Sequence, residues 1–200
     1  MKEVLLVILC YFIGAIPFSY ILSAILGKVD IRSQGSGNVG ATNVLRTVGV
    51  KVALLSFLGD LGKGALCALI GLYFGGELLA AFCALAAVIG HCYTVFLRFR
   101  GGKGVATTGG VILVLMPSVF LILLTTFIVV AVFTRYVSLA SICVAAMFPI
   151  AALIMGESLS YVIMSLCAAI IVIYGHRENI SRFRNGTESR ITDKVSKDLQ

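Results

Sequence analysis

Apolar runs long enough to cross a lipid bilayer recur along almost the whole of this chain, and few folds can accommodate so many. They cover residues 4–27, 48–75, 78–97, 118–134, 137–155 and 159–174, with a shorter run at 105–116. A hydrocarbon core of about 30 Å needs roughly 20 apolar residues per helix. The 200 residues are 60% hydrophobic and 12% charged, where a soluble domain is about half apolar and a quarter charged. The chain is therefore expected to be all-α, a polytopic membrane helix bundle. The first run is too long for a signal-peptide core and lacks a small-residue cleavage site, so it reads as a retained span.

The charges lie between these runs. The net charge is +7, but the cations sit in short segments beside apolar helices. That placement suits anionic headgroups or phosphorylated small substrates and argues against nucleic acid. Nearly all the Lys and Arg residues fall in 28–47, 98–104, 135 and 176–200, whereas the connections at 75–77 and 156–158 carry Glu77 and Glu157. Positive charge marks cytoplasmic loops. One bent helix could cover 105–134, but the basic segments share one side only if the chain crosses twice there. That arrangement predicts seven transmembrane helices, the amino end outside and the carboxyl end cytoplasmic. The chain reads as a single membrane domain, 1–200, with a polar tail at 191–200.

Two glycine-rich segments face that shared side. Arg98-Phe-Arg-Gly-Gly-Lys-Gly-Val-Ala-Thr107 places three cations and three glycines in ten residues before a helix start. Glycines permit close backbone approach, and a helix start favours an anion. The P-loop spacing fails here. Arg98 and Arg100 are explained as positive-inside anchors, which leaves Lys103 with Gly101, Gly102 and Gly104 as a phosphate cradle. In the second segment, Gly35, Gly37 and Gly40 match G-x-G-x-x-G without the preceding strand, so a dinucleotide site is rejected. Ser36, Asn38, Thr42, Asn43 and Arg46 remain as hydrogen-bonding groups and a fixed charge.

Other polar residues lie in or beside the spans. Asp60 and Lys63, three apart in the second run, read as an ion pair within the bundle. His91 reads equally as a packed residue or a site residue. His176 and Asn179 stand where the last run meets the polar tail, and Ser138 and Ser141 stand at the start of the sixth span. Cys10, Cys67, Cys83, Cys92, Cys143 and Cys167 are scattered singly and read as buried small hydrophobes. There is no G-x-S-x-G, no H-E-x-x-H and no acidic cluster suited to Mg²⁺. Chemistry without metal, cofactor or covalent enzyme intermediate is expected.

Three segments together resemble the bacterial acyl-phosphate-dependent glycerol-3-phosphate acyltransferase family. They are Gly35-Ser-Gly-Asn-Val-Gly-Ala-Thr-Asn-Val-Leu-Arg46, the stretch from Gly90-His91 through Thr107, and His176-Arg-Glu-Asn-Ile-Ser-Arg182 with Gly186-Thr-Glu188. Asp60-Leu-Gly-Lys-Gly64 and Tyr136-Val-Ser-Leu-Ala-Ser141 fit the same pattern. The resemblance implies transfer of a fatty acyl group from acyl phosphate to the 1-hydroxyl of sn-glycerol 3-phosphate, giving lysophosphatidate and inorganic phosphate. This is the first acylation of phospholipid synthesis. It further implies a bacterial inner-membrane location with the site facing the cytoplasm. Gly101, Gly102, Lys103 and Gly104 would hold acyl phosphate, and Arg46, Ser36 and Asn38 would hold glycerol 3-phosphate. Ser141, His176 and Asn179 would fix the hydroxyl or polarise the carbonyl. The base would be His176 or the substrate's own phosphate. The partners expected are these two substrates and membrane lipids, with a monomeric chain. A transporter of a phosphorylated small molecule would use the same cationic loops, but no inverted repeat is evident and the polar groups cluster at one face. A lipid-binding scaffold is a third reading; release of phosphate from acyl phosphate separates both from the enzyme.

Overall fold

The computed structural model describes residues 1–193; residues 194–200 of the expected tail lie outside the described residues. Within 1–193 the chain forms helices α1 (Lys2–Ala15), α2 (Phe18–Leu26), α3 (Ala41–Thr47) and α4 (Val50–Cys92), then α5 (Val105–Leu115) and α6 (Pro117–Thr134). Helices α7 (Val137–Ile154), α8 (Leu159–Gly175) and α9 (Arg177–Arg184) complete the order. Short 3₁₀ turns sit at Ile31–Ser33 and Val95–Leu97.

The breaks follow from particular residues. Proline has no N–H to bond the preceding turn and so breaks or kinks a helix: Pro17 separates α1 from α2, whereas α7 runs on through Pro149. Pro117 likewise opens α6 directly after α5. Helix α4 is two arms: Gly75 and Gly76 leave helical geometry, with φ of 69° at Gly76. Gly71 then lies against the backbone of Ala80, so the arms fold back on one another. By length and hydropathy, 2–26, 50–97, 117–134 and 137–154 are each long enough to cross a membrane, and 50–97, with 48 residues, holds both arms. Helix α5 has 11 residues, about 16 Å at roughly 1.5 Å per residue. Alone it reaches about half-way through the hydrocarbon.

Two short helices stand where only loop and tail were expected. Helix α3 lies within 28–47 and α9 within the basic segment after α8. Both are too short for hydrophobic periodicity to announce them, and α9 is strongly polar.

The helices approach closely because glycines face backbone. Gly14 packs on Ala87 and Gly90 on Tyr11, joining α1 to the second arm of α4. Gly64 meets the Thr107 carbonyl and Gly110 meets the Leu61 carbonyl, joining the first arm to α5. Small residues at such crossings let dispersion act between backbones where lipid offers no hydrophobic drive. A core of Val111, Ile112, Met116, Val119, Phe148 and Met164, with the alanines of α4, fills the space between α4 and α5–α8. The six cysteines are free.

Overpacking a full crossing costs about 1–3 kcal/mol. Gly64→Val should therefore lower the unfolding temperature of the detergent-solubilised protein. Unchanged melting would contradict the α4–α5 contact.

Candidate active site

A cavity of about 400 Å³ opens among α3, both arms of α4, α5, α7, α9 and the segment after α9. It is lined by Ser36, Asn38, Arg46, Lys103, Gly104, Ser141, His176 and Asn179, so residues far apart in sequence meet.

Asn43 shapes the first wall. Its side-chain amide donates to the carbonyls of Gln34 (2.9 Å) and Asn38 (3.1 Å), and its Oδ1 accepts from the Ser36 N–H at 3.1 Å. This bends the loop so that Ser36 and Asn38 face the cavity. Arg46, on the last turn of α3, donates through Nη2 to the Ser189 carbonyl at 3.0 Å. Its Nε is buried with no partner among the described residues. Burial lowers its pKa from the guanidinium value, but a guanidinium stays charged, so Arg46 brings a fixed positive charge to the cavity lining.

The glycine loop forms another wall. Gly104 takes φ of 85° and caps the start of α5, whose first N–H groups have no helical acceptor. Lys103 reaches the Asn179 Oδ1. Burial first, then the Arg182 charge, pulls its pKa down to about 8, so it is mostly protonated at neutral pH. Gly101 and Gly102 behave differently from Lys103 and Gly104. Their N–H groups donate to the carbonyls of Cys92 (3.0 Å) and His91 (3.1 Å). Those donors are already used, and the two glycines act by close packing on the end of α4.

His176 closes α8 and is 2% exposed. Its Nδ1 lies 2.7 Å from the Val172 carbonyl; a carbonyl can only accept, so Nδ1 carries the proton and Nε2 the lone pair. Burial and then the Lys103 charge lower its pKa to about 4, which keeps the ring neutral. Ser141 donates to the Val137 carbonyl of its own helix at 2.8 Å, which leaves its lone pairs available.

Glu188, Ser138 and Arg182 also line the cavity, and they were not singled out as site residues from the sequence. Glu188 Oε1 accepts from Ser138 Oγ (2.6 Å) and Asn179 Nδ2 (2.7 Å), and Oε2 accepts from Arg182 Nε at 2.8 Å. Burial disfavours its charge, but these donors hold its pKa below the usual carboxylate value. Glu188 belongs to the Gly186-Thr-Glu188 segment, and its reach across to Ser138 on α7 is a long-range contact. The Ile191 N–H donates to the Arg135 carbonyl at 2.8 Å and Arg190 Nε to Tyr136 Oη at 3.3 Å, so the chain after α9 straps back over the cavity.

A second cavity, almost wholly apolar, adjoins the first. Phe57, Val105, Ala106, Phe127 and Ser141 belong to both. It descends from Val105 to Ile112 on α5, from Phe127 to Phe120 on α6 and from Ser141 to Phe148 on α7, about 10 Å along each helix at roughly 1.5 Å per residue. Among the described residues no group of three His, Cys, Asp or Glu side chains is placed to hold a metal ion.

Comparison with known proteins gives one family. The family described as glycerol-3-phosphate acyltransferase matches residues 4–186. The glycerol-3-phosphate acyltransferase of Syntrophomonas wolfei is 57% identical over 195 residues, 98% of this chain and 100% of that protein. The Carboxydothermus hydrogenoformans protein of the same name is 42% identical, covering 94% of this chain and 96% of its own. Crystal structures of PlsY (YgiH), an integral membrane glycerol 3-phosphate acyltransferase, are similar throughout. The glycerol 3-phosphate form superposes with a TM-score of 0.91 at 41% identity, covering 95% of this chain and 96% of that one. The lysophosphatidic acid form gives 0.89 at 40%, covering 95% of each chain.

Hydrogen bonds to a charged group are worth about 1.5–3 kcal/mol. Glu188→Gln should therefore speed amide hydrogen exchange in 186–193 by about tenfold or more. Unchanged exchange would contradict the role of Glu188 in holding the strap.

Proposed function

This chain belongs to the glycerol-3-phosphate acyltransferase family, and we propose that it moves a fatty acyl group from acyl phosphate to the 1-hydroxyl of sn-glycerol 3-phosphate. The observation that carries the reading is the pairing of cavities. A polar chamber with a cation on either wall, Arg46 and Lys103, shares five residues with an apolar slot. Two phosphates and one fatty chain fit that division of surfaces.

The donor's phosphate lies at Lys103, Gly104 and the start of α5, and its chain enters the slot toward Ile112, Phe120 and Phe148. The acceptor's phosphate pairs with the Arg46 guanidinium, with Ser36 and Asn38 beside it. His176, Ser141 and Asn179 surround the reacting carbonyl and hydroxyl. The glycerol 1-oxygen attacks the acyl carbon, the bond from that carbon to the phosphate oxygen breaks, and inorganic phosphate departs toward Lys103. The hydroxyl proton must go to a base. A His176 with pKa of about 4 is a weak acceptor, whereas a phosphomonoester has its second pKa near 6. The proton therefore passes to a substrate phosphate, which accepts the only hydrogen of the 1-hydroxyl, and His176 Nε2 orients the glycerol by accepting from its neighbouring 2-hydroxyl. Catalysis is then mainly positioning, which can supply about 7–11 kcal/mol. No covalent enzyme intermediate, metal or cofactor takes part.

The proposal extends to topology. The chain is one domain and a monomer of the bacterial inner membrane with seven crossings, the amino end outside and the carboxyl end cytoplasmic. The basic segments, which gather around one cavity, support a site on the cytoplasmic side.

Purified protein in detergent should release phosphate from acyl phosphate only when glycerol 3-phosphate is present; release with no such dependence would contradict the acceptor assignment. Lys103→Ala should lower turnover by about 100-fold or more without unfolding the protein. Near-normal turnover would refute the cradle.

The pH profile is a separate test. Lys103 carries its charge below its pKa of about 8 and loses it above. kcat/KM for acyl phosphate, which reports the free enzyme, should fall as pH rises past about 8, and Lys103→Arg should move that fall to higher pH. A profile unmoved by that substitution would separate Lys103 from donor binding.

A further inference from the structure

A buried charge cluster beneath the cavity has no part in the reaction just described. Asp60 and Lys63 lie on the first arm of α4 and His91 near the end of the second, each at most 7% exposed. Lys63 Nζ is 2.8 Å from Asp60 Oδ1 and donates to the Ile16 carbonyl at 2.8 Å. His91 Nδ1 is 3.3 Å from the same Asp60 oxygen, and Ser19 Oγ on α2 donates to Oδ2 at 3.4 Å. The ion pair expected from the i,i+3 spacing is present, and His91 joins it. Ionisable groups at this depth are expensive, and an apolar trio of similar volume would pack the arms as well or better. Packing alone does not account for them.

The cluster touches the cradle through His91. Gly102 lies on the Nε2 edge of the His91 ring, where a Cβ would not fit, and its N–H donates to the His91 carbonyl. Gly101 donates to the carbonyl of the next residue, Cys92. Thr94, two residues further on, donates to the Ala15 carbonyl at 2.6 Å. The loop that presents Lys103 thus rests on the end of the second arm. That end is tied to the first arm and to the α1–α2 break by polar contacts at one level. Asp60 and His91 both reach the cavity wall.

We infer that Asp60, Lys63 and His91 are positioning residues for acyl transfer: together they set the height and orientation of the Gly101–Gly104 loop, and so of Lys103, relative to Arg46. The inference rests on assigning that loop to the donor phosphate. Asp60 is the pivot. It pins the His91 ring at Nδ1, so that the opposite edge becomes the floor under Gly102. Lys63 balances the carboxylate and carries the tie on to Ile16. A displacement of about 1 Å in reacting groups can cost about 100-fold.

The test uses the full chain in detergent with both substrates varied. In His91→Leu, kcat/KM for acyl phosphate should fall by about 100-fold with KM for acyl phosphate raised. KM for glycerol 3-phosphate and the unfolding temperature should stay near the wild type. His91→Asn, whose amide nitrogen can replace Nδ1, should recover about tenfold or more of that loss. The double variant Asp60→Leu, Lys63→Met removes both charges together and should fold while keeping the donor-specific defect. Normal kinetics in these variants would overturn the inference. So would turnover and stability lost in proportion, with both KM values unchanged in the folded fraction, because that is a purely structural role. Wild-type protein that releases no phosphate from acyl phosphate would instead contradict the donor assignment.

Discussion

Hydrocarbon offers no hydrogen-bond partner, so a polar group within the membrane is satisfied by protein or by nothing. A helix broken inside the bundle exposes carbonyls that would otherwise bond within the helix. The break at Pro17 does this at Ala15 and Ile16, and Thr94 and Lys63 answer it with short contacts. Lys63 brings a charge that Asp60 must balance, and Asp60 in turn holds His91. One proline thereby draws α1, α2 and both arms of α4 to a common level, on which the Gly101–Gly104 loop rests. The same constraint explains why Thr125, Thr126 and Thr134 bond back to their own helix on α6.

Gathering the remaining polar groups in one chamber sets its electrostatics. Burial weakens the proton affinity of Lys103 and His176 together, but with different results near neutrality: one stays a cation and the other a neutral ring. Arg46 and Lys103 face the chamber from separate walls, each tied to the strap or to α9 through one contact. Glu188, held ionised by three donors, lies between these groups and keeps Ser138, Asn179 and Arg182 in register. In the proposed reaction such a chamber would stabilise a phosphate leaving group, and its apolar neighbour would keep water from the acyl chain.

Much of this was legible in the sequence, where local chemistry decides. Apolar runs announced the helices, Pro117 the break before α6, and Gly75–Glu77 the turn between the arms. Arg46, Lys103, His176 and Asn179 stood out because polar groups beside membrane spans are few, and they line one cavity. What stayed hidden depends on distance. Glu188 acquires its place when the strap folds back onto α7, a contact that no local pattern encodes. Gly101 and Gly102 looked like anion donors because their N–H groups had no visible partner, and the partners are carbonyls at the end of α4. His91 read equally as packing or site because its neighbour Asp60 lies on the opposite arm. Helices α3 and α9 have seven and eight residues, about two turns each, too short for a periodicity to reveal them.

The central claim is that one chamber holds two phosphates and delivers a fatty chain to the apolar slot beside it. A crystal structure of this protein with glycerol 3-phosphate and a non-transferable acyl phosphonate tests that claim most directly. The expected result places the phosphonate on Lys103 and the start of α5, the glycerol phosphate on the Arg46 guanidinium, and the chain between Ile112, Phe120 and Phe148. A phosphonate bound away from Lys103, or a chain lying outside that slot, would contradict it.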